Sequence, residues 1–201
     1  VGESGSGKSV MAMAVMGLLA QGLNVRRGSI ELHGEPLLQA SVQRWRQLRG
    51  VAMGMVFQEP MTALNPVMSC GAQLDELLRV HTALDAAQRR AEVLSMLERV
   101  KLPNTPEVAR RFPHQLSGGQ RQRIVIAMAM MLKPALLICD EPTTALDVTT
   151  QKEILALIQE LQREQGSAVL FITHDMGVVA EISNRVLVMH QGRCVEAGAK
   201  H

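Results

Sequence analysis

Near its start the sequence reads Gly2-Glu3-Ser4-Gly5-Ser6-Gly7-Lys8-Ser9, which matches the pattern G-x-x-x-x-G-K-[ST] in full. The glycines let the backbone curl so that successive N–H groups point inward, where they can bind the oxygen atoms of a phosphate group. Lys8 adds a mobile positive charge, and Ser9 adds a hydroxyl group that can bind Mg²⁺. The alternative interpretation is a flexible Gly/Ser turn. The complete pattern favours a phosphate-binding loop and predicts a nucleoside triphosphate as the ligand.

The residues after this loop, from Val10 to Ala20, are apolar and carry no charge. They predict a helix that is buried on most sides and begins where the loop ends. The positive end of that helix then faces the phosphates. A strand is expected before such a loop, but only Val1 precedes it. We therefore expect the sequence to begin inside the fold.

Composition limits the classes of protein that fit this chain. Its 201 residues are 47% hydrophobic, which predicts one globular domain with at most a subdomain. A net charge of +2 argues against a nucleic-acid groove or a polybasic membrane patch. The scattered Cys70, Cys139 and Cys194 argue against a disulfide framework or zinc site, and we expect them to be reduced and structural. No apolar stretch is long enough to span a bilayer, so a cytosolic location is expected.

The first half of the chain predicts strands followed by helices. Ser29-Ile30-Glu31-Leu32 resembles a strand that ends in the turn 33–36, and residues 51–57 form a second strand. Two prolines within 58–66 exclude one continuous helix or strand and predict a structured loop. Residues 70–100 have helical spacing, with either Thr82 or Asp85 as the cap of a second helix.

From Ile124 onward helices and strands alternate. The pattern predicts helices at 124–132 and 148–165, strands at 135–139, 168–173 and 185–190, a short helix between the last two strands, and a hairpin turn at Gln191-Gly192. Apolar strands joined by helical crossovers indicate an α/β fold with a parallel sheet.

Polar residues follow the predicted strands. Asp140 and Glu141 come directly after the strand 136–139, at the end where open α/β sheets place their ligands. Asp140 can hold Mg²⁺, directly or through water, and Glu141 can orient or deprotonate an attacking water. A solvated loop start is the alternative for such an acidic pair. Gln58 and His174 also follow strands, and we expect His174 at the same sheet edge as the two carboxylates, although it could serve only as a structural cap.

Leu116-Ser117-Gly118-Gly119-Gln120 precedes a predicted helix. Ser117 and Gln120 fit the capping-box pattern S-x-x-Q, so a well-capped helix is one sufficient explanation. The two glycines, however, weaken a helix by about 1 kcal/mol each relative to alanine. They are better explained if a phosphate approaches the N–H groups of this helix end.

Taken in order along the chain, these segments resemble the Walker A, Q-loop, signature, Walker B, D-loop and H-switch motifs of ABC-type ATPases. The matching segments are 2–9, Gln58, 116–120, 137–141, Ala145-Leu146-Asp147 and His174. The resemblance implies a single ABC-type ATPase domain over 1–201, with a P-loop NTPase core of mostly parallel sheet, a partial antiparallel β subdomain and an inserted α-helical subdomain. It divides the chain into a P-loop and β region at 1–57, a Q-loop and helical subdomain at 58–115, and a signature, Walker B and H-switch core at 116–201.

The same resemblance implies a role for each matched residue. ATP is sandwiched in a head-to-tail dimer, with one subunit contributing Gly2, Glu3, Ser4, Gly5, Ser6, Gly7, Lys8 and Ser9, and the other contributing Ser117, Gly118, Gly119 and Gln120. Mg²⁺ is held by Ser9, Gln58 and Asp140. The catalytic residues are Glu141 as general base, His174 at the γ-phosphate and Gln58 near the attacking water. Asp147 resembles the D-loop carboxylate that reaches across the dimer.

A finer resemblance concerns the subfamily. Segments 57–66, 140–149 and 174–181 resemble the ATPase subunits of bacterial peptide importers, a group that also takes up glutathione and nickel chelates. This implies an ATPase coupled to transport, bound at the cytoplasmic face of the inner membrane to permease subunits that work with an extracytoplasmic solute-binding protein. The alternatives are an ABC ATPase without a transport role, which the absence of sustained heptads and the near-neutral charge disfavour, or a catalytically incompetent half-site.

The sequence departs from the family pattern at its ends. The aromatic residue that stacks on adenine upstream of the phosphate loop is absent, and the chain stops after the last hairpin. We therefore expect a fragment trimmed at both ends, with weaker adenine affinity and reduced stability.

Overall fold

The computed structural model describes residues 1–199, and the last two residues of the predicted region 116–201 lie outside this part. The chain forms two compact units, Val1–Arg49 with Phe171–His201, and Gly50–Leu170. The helices are α1 (Lys8–Val15), α2 (Val42–Leu48), α3 (Pro60–Ala63), α4 (Cys70–His81), α5 (Ala86–Arg99), α6 (Thr105–Arg110), α7 (Gly118–Met130), α8 (Val148–Gln165) and α9 (Met176–Ile182). The strands are β1 (Glu31–Leu32), β2 (Glu35–Pro36), β3 (Met53–Val56), β4 (Leu136–Asp140), β5 (Ala168–Ile172), β6 (Arg185–His190) and β7 (Arg193–Ala199).

A three-stranded sheet with the order β3-β4-β5 supports the second unit. β3 and β4 pair in parallel, with a register that runs from Met53↔Leu136 to Val56↔Cys139, as the alternation of helices and strands predicts. Every residue of β3 is buried. Helices α7 and α8 pack together, and their fully buried side chains form a core with β4 that includes Ile124, Ile126, Leu137, Ile138, Ile154 and Leu157. Each such side chain contributes roughly 1.5–3 kcal/mol to stability.

Helices α4, α5 and α6 pack against one another as the predicted helical region. Asp85, rather than Thr82, caps α5: its Oδ1 accepts hydrogen bonds from the N–H groups of Ala87 and Gln88 at 2.8 and 2.9 Å. The Gln88 side chain closes a capping box by accepting from the Asp85 N–H at 2.9 Å. The predicted loop 58–66 contains one helical turn, α3. Pro60 begins that turn, where its missing N–H costs no hydrogen bond.

The first unit differs from the sequence prediction at helix α1. The helix predicted over residues 10–20 is shorter and begins earlier in the chain, as α1 (Lys8–Val15). It is also less buried than predicted, because Val10 is 53% exposed. Gly17 has a φ of 62°, the left-handed conformation that commonly ends helices. The Trp45 ring lies where a side chain at position 17 would be, so only glycine fits there.

The predicted hairpin turn at Gln191-Gly192 is present in this unit, whereas the predicted turn 33–36 is shorter, because Glu35 and Pro36 form β2. β1 pairs with β2 across His33-Gly34, and β6 pairs with β7 across Gln191-Gly192. Among residues 1–199, no helix has the length and apolar character needed to cross a membrane.

All three cysteines are free thiols. Cys70 and Cys139 are buried, and burial raises the pKa of the Cys70 thiol to about 11 and that of Cys139 further still. Cys194, in contrast, is exposed on β7, so the expectation that all three cysteines are structural packing residues is wrong for this one.

Candidate functional site

The phosphate-binding pattern forms a compact loop that ends at the first residue of α1. Lys8 is only 5% exposed, and its Nζ donates hydrogen bonds to the carbonyl oxygens of Gly2 and Glu3 at 2.7 and 2.8 Å. Gly7 precedes the helix and has no side chain to cap its first N–H groups. The ammonium group and the positive end of α1 are therefore both directed at the same short loop, an arrangement suited to an anion.

The β6–β7 hairpin supports this loop from within the same unit. The Met189 N–H donates to the Val1 carbonyl at 2.7 Å, so Val1 continues alongside β6 in the place of the expected preceding strand. The Gly192 N–H donates to the Ser6 carbonyl at 3.0 Å. A Cβ atom at Gly2 would lie 2.2 Å from the Met189 carbonyl oxygen, which leaves room only for glycine. The sequence predicts the hairpin, but it contains no signal that the hairpin contacts the loop.

A second observation on this loop agrees with a triphosphate ligand. Ser6 is 4% exposed, and its hydroxyl has no hydrogen-bond partner among residues 1–199. An unpaired buried hydroxyl costs about 1–3 kcal/mol, which a bound polar ligand can offset. Ser9, at the second position of α1, is exposed at the same end of the helix.

The two predicted carboxylates stand at the end of β4. Asp140 is the last residue of that strand and is 5% exposed. Glu141 leaves the strand with a φ of 46°, an uncommon conformation for a residue with a side chain. A tight turn holds it there: the Thr144 N–H donates to the Glu141 carbonyl at 3.3 Å, and Thr144 Oγ1 donates to Glu141 Oε2 at 3.0 Å. No pattern in the sequence indicates Thr144 as a partner of Glu141.

Gln58 and Glu141 leave neighbouring strands at the same sheet edge. Val56 and Cys139 are the last paired residues of β3 and β4, and each predicted site residue lies two positions farther along its own chain segment. Neighbouring strands are about 4.8 Å apart, so the exposed Gln58 emerges next to the segment that carries Glu141. The second unit thus places these two predicted catalytic residues at one edge of its sheet.

The signature segment forms the predicted capping box at the start of α7. Ser117 Oγ accepts from the Gln120 N–H at 3.3 Å, and Gln120 Oε1 accepts from the Ser117 N–H at 3.1 Å. Ser117 and Gly118 are exposed. This end of α7 is therefore stable without a bound phosphate, and it remains accessible from outside the chain.

Asp147 caps the next helix, α8, in a similar way. Its carboxylate accepts from the N–H groups of Thr149 and Thr150 at 3.1 and 3.0 Å and from Thr150 Oγ1 at 2.7 Å. These bonds, led by the backbone and side-chain bonds from Thr150, lower the pKa of Asp147. The predicted D-loop carboxylate is exposed, but its oxygens are engaged by its own helix.

His174 belongs to the first unit and is exposed between two residues that fix the backbone. On one side, the hydroxyl group of the buried Thr173 accepts a hydrogen bond from the Asp175 N–H at 3.0 Å. On the other, Asp175 caps α9 by accepting from the Gly177 N–H at 2.8 Å. The imidazole therefore projects from a rigid strand-to-helix connection.

The family model for "ABC transporter" matches residues 1–144 of this chain. The chain belongs to the ABC transporter family. A search of solved structures agrees: the ATP-binding cassette MJ0796, solved as a dimer in a post-hydrolysis state with ADP and Pi, superposes with a TM-score of 0.85 at 28% identity, over 98% of this chain and 82% of the other. The predicted α/β P-loop NTPase fold is thereby confirmed.

Two relatives that share more than half of their aligned residues with this chain are glutathione import ATP-binding proteins. The glutathione import ATP-binding protein GsiA of Pectobacterium atrosepticum is 55% identical to this chain over 205 residues, and that of Salmonella paratyphi A is 52% identical. Each alignment covers 99% of this chain and 33% of the relative. The present ABC chain thus spans about a third of the length of these relatives.

Proposed function

We propose that this chain is the ATP-binding and ATP-hydrolysing cassette of an importer for glutathione, peptides or related small solutes. The observation that carries the proposal is the phosphate loop, which combines the buried Lys8 ammonium group, an uncapped α1 and an unpaired Ser6 hydroxyl. Identities of 52–55% to GsiA proteins support glutathione or a short peptide as the solute.

Nucleotide binding would use the loop 2–9 and the start of α1. ATP with Mg²⁺ would supply the phosphoryl group that is transferred to water. Lys8 would exchange its bonds to the Gly2 and Glu3 carbonyl oxygens for phosphate oxygens, which are stronger acceptors because they carry charge. The Ser9 hydroxyl, Gln58 and the buried Asp140 carboxylate are the oxygen ligands proposed for Mg²⁺, which prefers such ligands.

Hydrolysis would depend on Glu141 as the general base. Its backbone is fixed by the turn to Thr144, and the neighbouring strand delivers Gln58 beside it. A carboxylate and an amide at one sheet edge can together orient a water molecule, with the carboxylate accepting its proton. His174 would contact the γ-phosphate from the connection between β5 and α9.

The complete site would need a second cassette. The exposed start of α7 at Ser117 and Gly118 is placed at the surface, where the nucleotide of a partner can reach it. The dimeric state of the MJ0796 cassette supports this arrangement. We further propose integral permease subunits and an extracytoplasmic solute-binding protein as partners, no nucleic-acid partner, and a peripheral position at the cytoplasmic face of the bacterial inner membrane.

The test is steady-state ATP hydrolysis by the full-length protein, wild type beside Glu141→Gln and Lys8→Ala, with size measured on addition of ATP and Mg²⁺. Glu141→Gln removes the proton acceptor but keeps the shape, so we expect turnover to fall by about 10²- to 10⁴-fold while nucleotide still binds. It should accumulate as a nucleotide-bound dimer. Lys8→Ala serves as the matched control, because it should lose nucleotide binding itself.

Three outcomes would contradict the proposal. Unchanged turnover in Glu141→Gln removes this carboxylate from the mechanism. A wild-type protein that binds ATP but neither hydrolyses it nor dimerises, even with its permease present, favours the incompetent half-site. Co-purification with nucleic acid instead of membrane subunits would favour an ABC ATPase without a transport role.

A further inference from the structure

The starts of α7 and α8 lie in contact within the unit Gly50–Leu170. A Cβ atom at Gly119 would lie 2.8 Å from Cγ2 of Thr150, and one at Gly118 would lie 3.7 Å from Cδ2 of Leu146. The second distance is an ordinary van der Waals contact, whereas the first is too short for a real side chain. The space beside Gly119 is therefore already filled by a methyl group of the same chain.

Thr150 cannot easily vacate that space. Its Oγ1 donates to Asp147 Oδ2 at 2.7 Å, and its N–H donates to Asp147 Oδ1 at 3.0 Å. A β-branched side chain in a helix has few accessible χ1 rotamers, and its methyl and hydroxyl groups turn together. Any rotation that moves the methyl group away from Gly119 therefore also moves the hydroxyl group away from the Asp147 carboxylate.

We infer that Thr150 is a positioning residue that joins the N-terminus of the signature helix α7 to the carboxylate of Asp147. Gly119 lacks a side chain because the Thr150 methyl group occupies that place. This differs from the explanation given by sequence alone, in which the glycine leaves room for the phosphate of a partner. The inference rests on the proposed function, since both helix starts would face the nucleotide held by the second cassette.

A double-mutant cycle in the full-length protein separates the two explanations. Gly119→Ala adds the methyl group that meets Thr150, and Thr150→Ser removes that obstacle while keeping the hydroxyl group for Asp147. We expect Gly119→Ala to lower kcat about tenfold, a coupling normal for residues in contact, with KM for ATP unchanged. Thr150→Ser alone should stay near wild type, and the double variant should recover to within about threefold of it.

A second variant tests the hydroxyl group. Thr150→Val keeps the methyl group against Gly119 but cannot donate to Asp147. It should lower kcat by itself, again without a change in KM, and it should fail to rescue Gly119→Ala. If the Gly119→Ala/Thr150→Ser variant has the same low kcat as Gly119→Ala, then the added methyl group obstructs something other than Thr150, such as a bound phosphate. That result overturns the inference. Wild-type kcat in Gly119→Ala overturns it equally.

Thermal unfolding of the same proteins without nucleotide distinguishes this inference from the proposed function. The contact between the helix starts should make Gly119→Ala melt at a lower temperature than wild type, and Thr150→Ser should restore the melting temperature in the double variant. If the melting temperature is restored in the double variant but the protein has no ATPase activity, the contact is supported and only the proposed function is contradicted. No change in the melting temperature of Gly119→Ala counts against the contact, as an unchanged kcat does.

Discussion

Gly54 in β3 lies against Ala129 of α7, and this contact makes a quantitative prediction about stability. A Cβ atom at Gly54 would lie 2.3 Å from the Ala129 carbonyl oxygen, 3.1 Å from its carbonyl carbon and 3.3 Å from Cγ of Pro134. The first two are main-chain atoms inside the core, so they cannot rotate aside. Because non-bonded heavy atoms sit about 3.5 Å apart or more, Gly54→Ala must push β3 away from α7 by about 1 Å.

Such overpacking costs typically 1–3 kcal/mol, and we expect the upper end because the neighbours are main chain. For a chain of this size each kcal/mol lowers Tm by about 2–4 °C, so Gly54→Ala should melt roughly 6–12 °C below wild type. Urea unfolding followed by circular dichroism should give the same loss in unfolding free energy. β3 also leads to Gln58, so ATP turnover should fall along with stability.

Gly198→Ala provides the matched control. Gly198 is also a strand glycine, but a Cβ atom there would meet nothing within 4 Å. Its unfolding free energy should stay within about 0.5 kcal/mol of wild type, as for other surface substitutions. If Gly54→Ala behaves like this control, the close packing of β3 against α7 is refuted as the reason for the glycine.

Two further predictions concern polar side chains that accept or donate hydrogen bonds. Ser167 is 2% exposed, and its Oγ donates a hydrogen bond to the Pro134 carbonyl oxygen at 2.6 Å. Ser167→Ala should therefore lower the unfolding free energy, measured by urea unfolding, by about 1–3 kcal/mol. An unchanged unfolding free energy would show that this bond is not formed. Asp147 has a lowered pKa in the folded state, so its charge stabilises the fold above the pKa of the unfolded chain, and this stability is lost as pH falls through the folded pKa. The difference in unfolding free energy between wild type and Asp147→Asn should therefore narrow as the pH falls below about 4, the ordinary pKa of an aspartate, and a constant difference would show that the Asp147 charge does not stabilise the fold.

Sequence alone predicted the elements whose signals are local. α8 begins and ends where the sequence places it, because Asp147 caps its first turn and Gly166 takes the left-handed conformation after its last residue. The capping boxes of α5 and α7 were equally predictable, since each is made by residues three positions apart. The parallel sheet followed from the alternation of apolar strands with helices, whereas the strand order β3-β4-β5 was not predicted.

The errors come from contacts between distant parts of the chain. Just beyond the early end of α1, Gly17 lies against Trp45, a residue with no visible relation to it in sequence. The contact between the phosphate loop and Met189, which holds the loop in place, was missed for the same reason. Periodicity reports which residues are apolar, but it does not report which segment will cover them.

The functional motifs are readable in sequence because each is held by bonds between near neighbours. The carboxylate of Glu141 is held by Thr144, that of Asp147 by Thr150, and the backbone of Ser117 by the Gln120 side chain, each across three positions. A linear pattern therefore suffices to find them. The glycines follow a different rule, since the partner that requires Gly2 is Met189 and the partner that requires Gly119 is Thr150. At these positions a sequence pattern shows that glycine is needed, but it attributes that need to the ligand. Only the double-mutant cycle at Gly119 can measure how much of the need comes from the ligand and how much from packing within the fold.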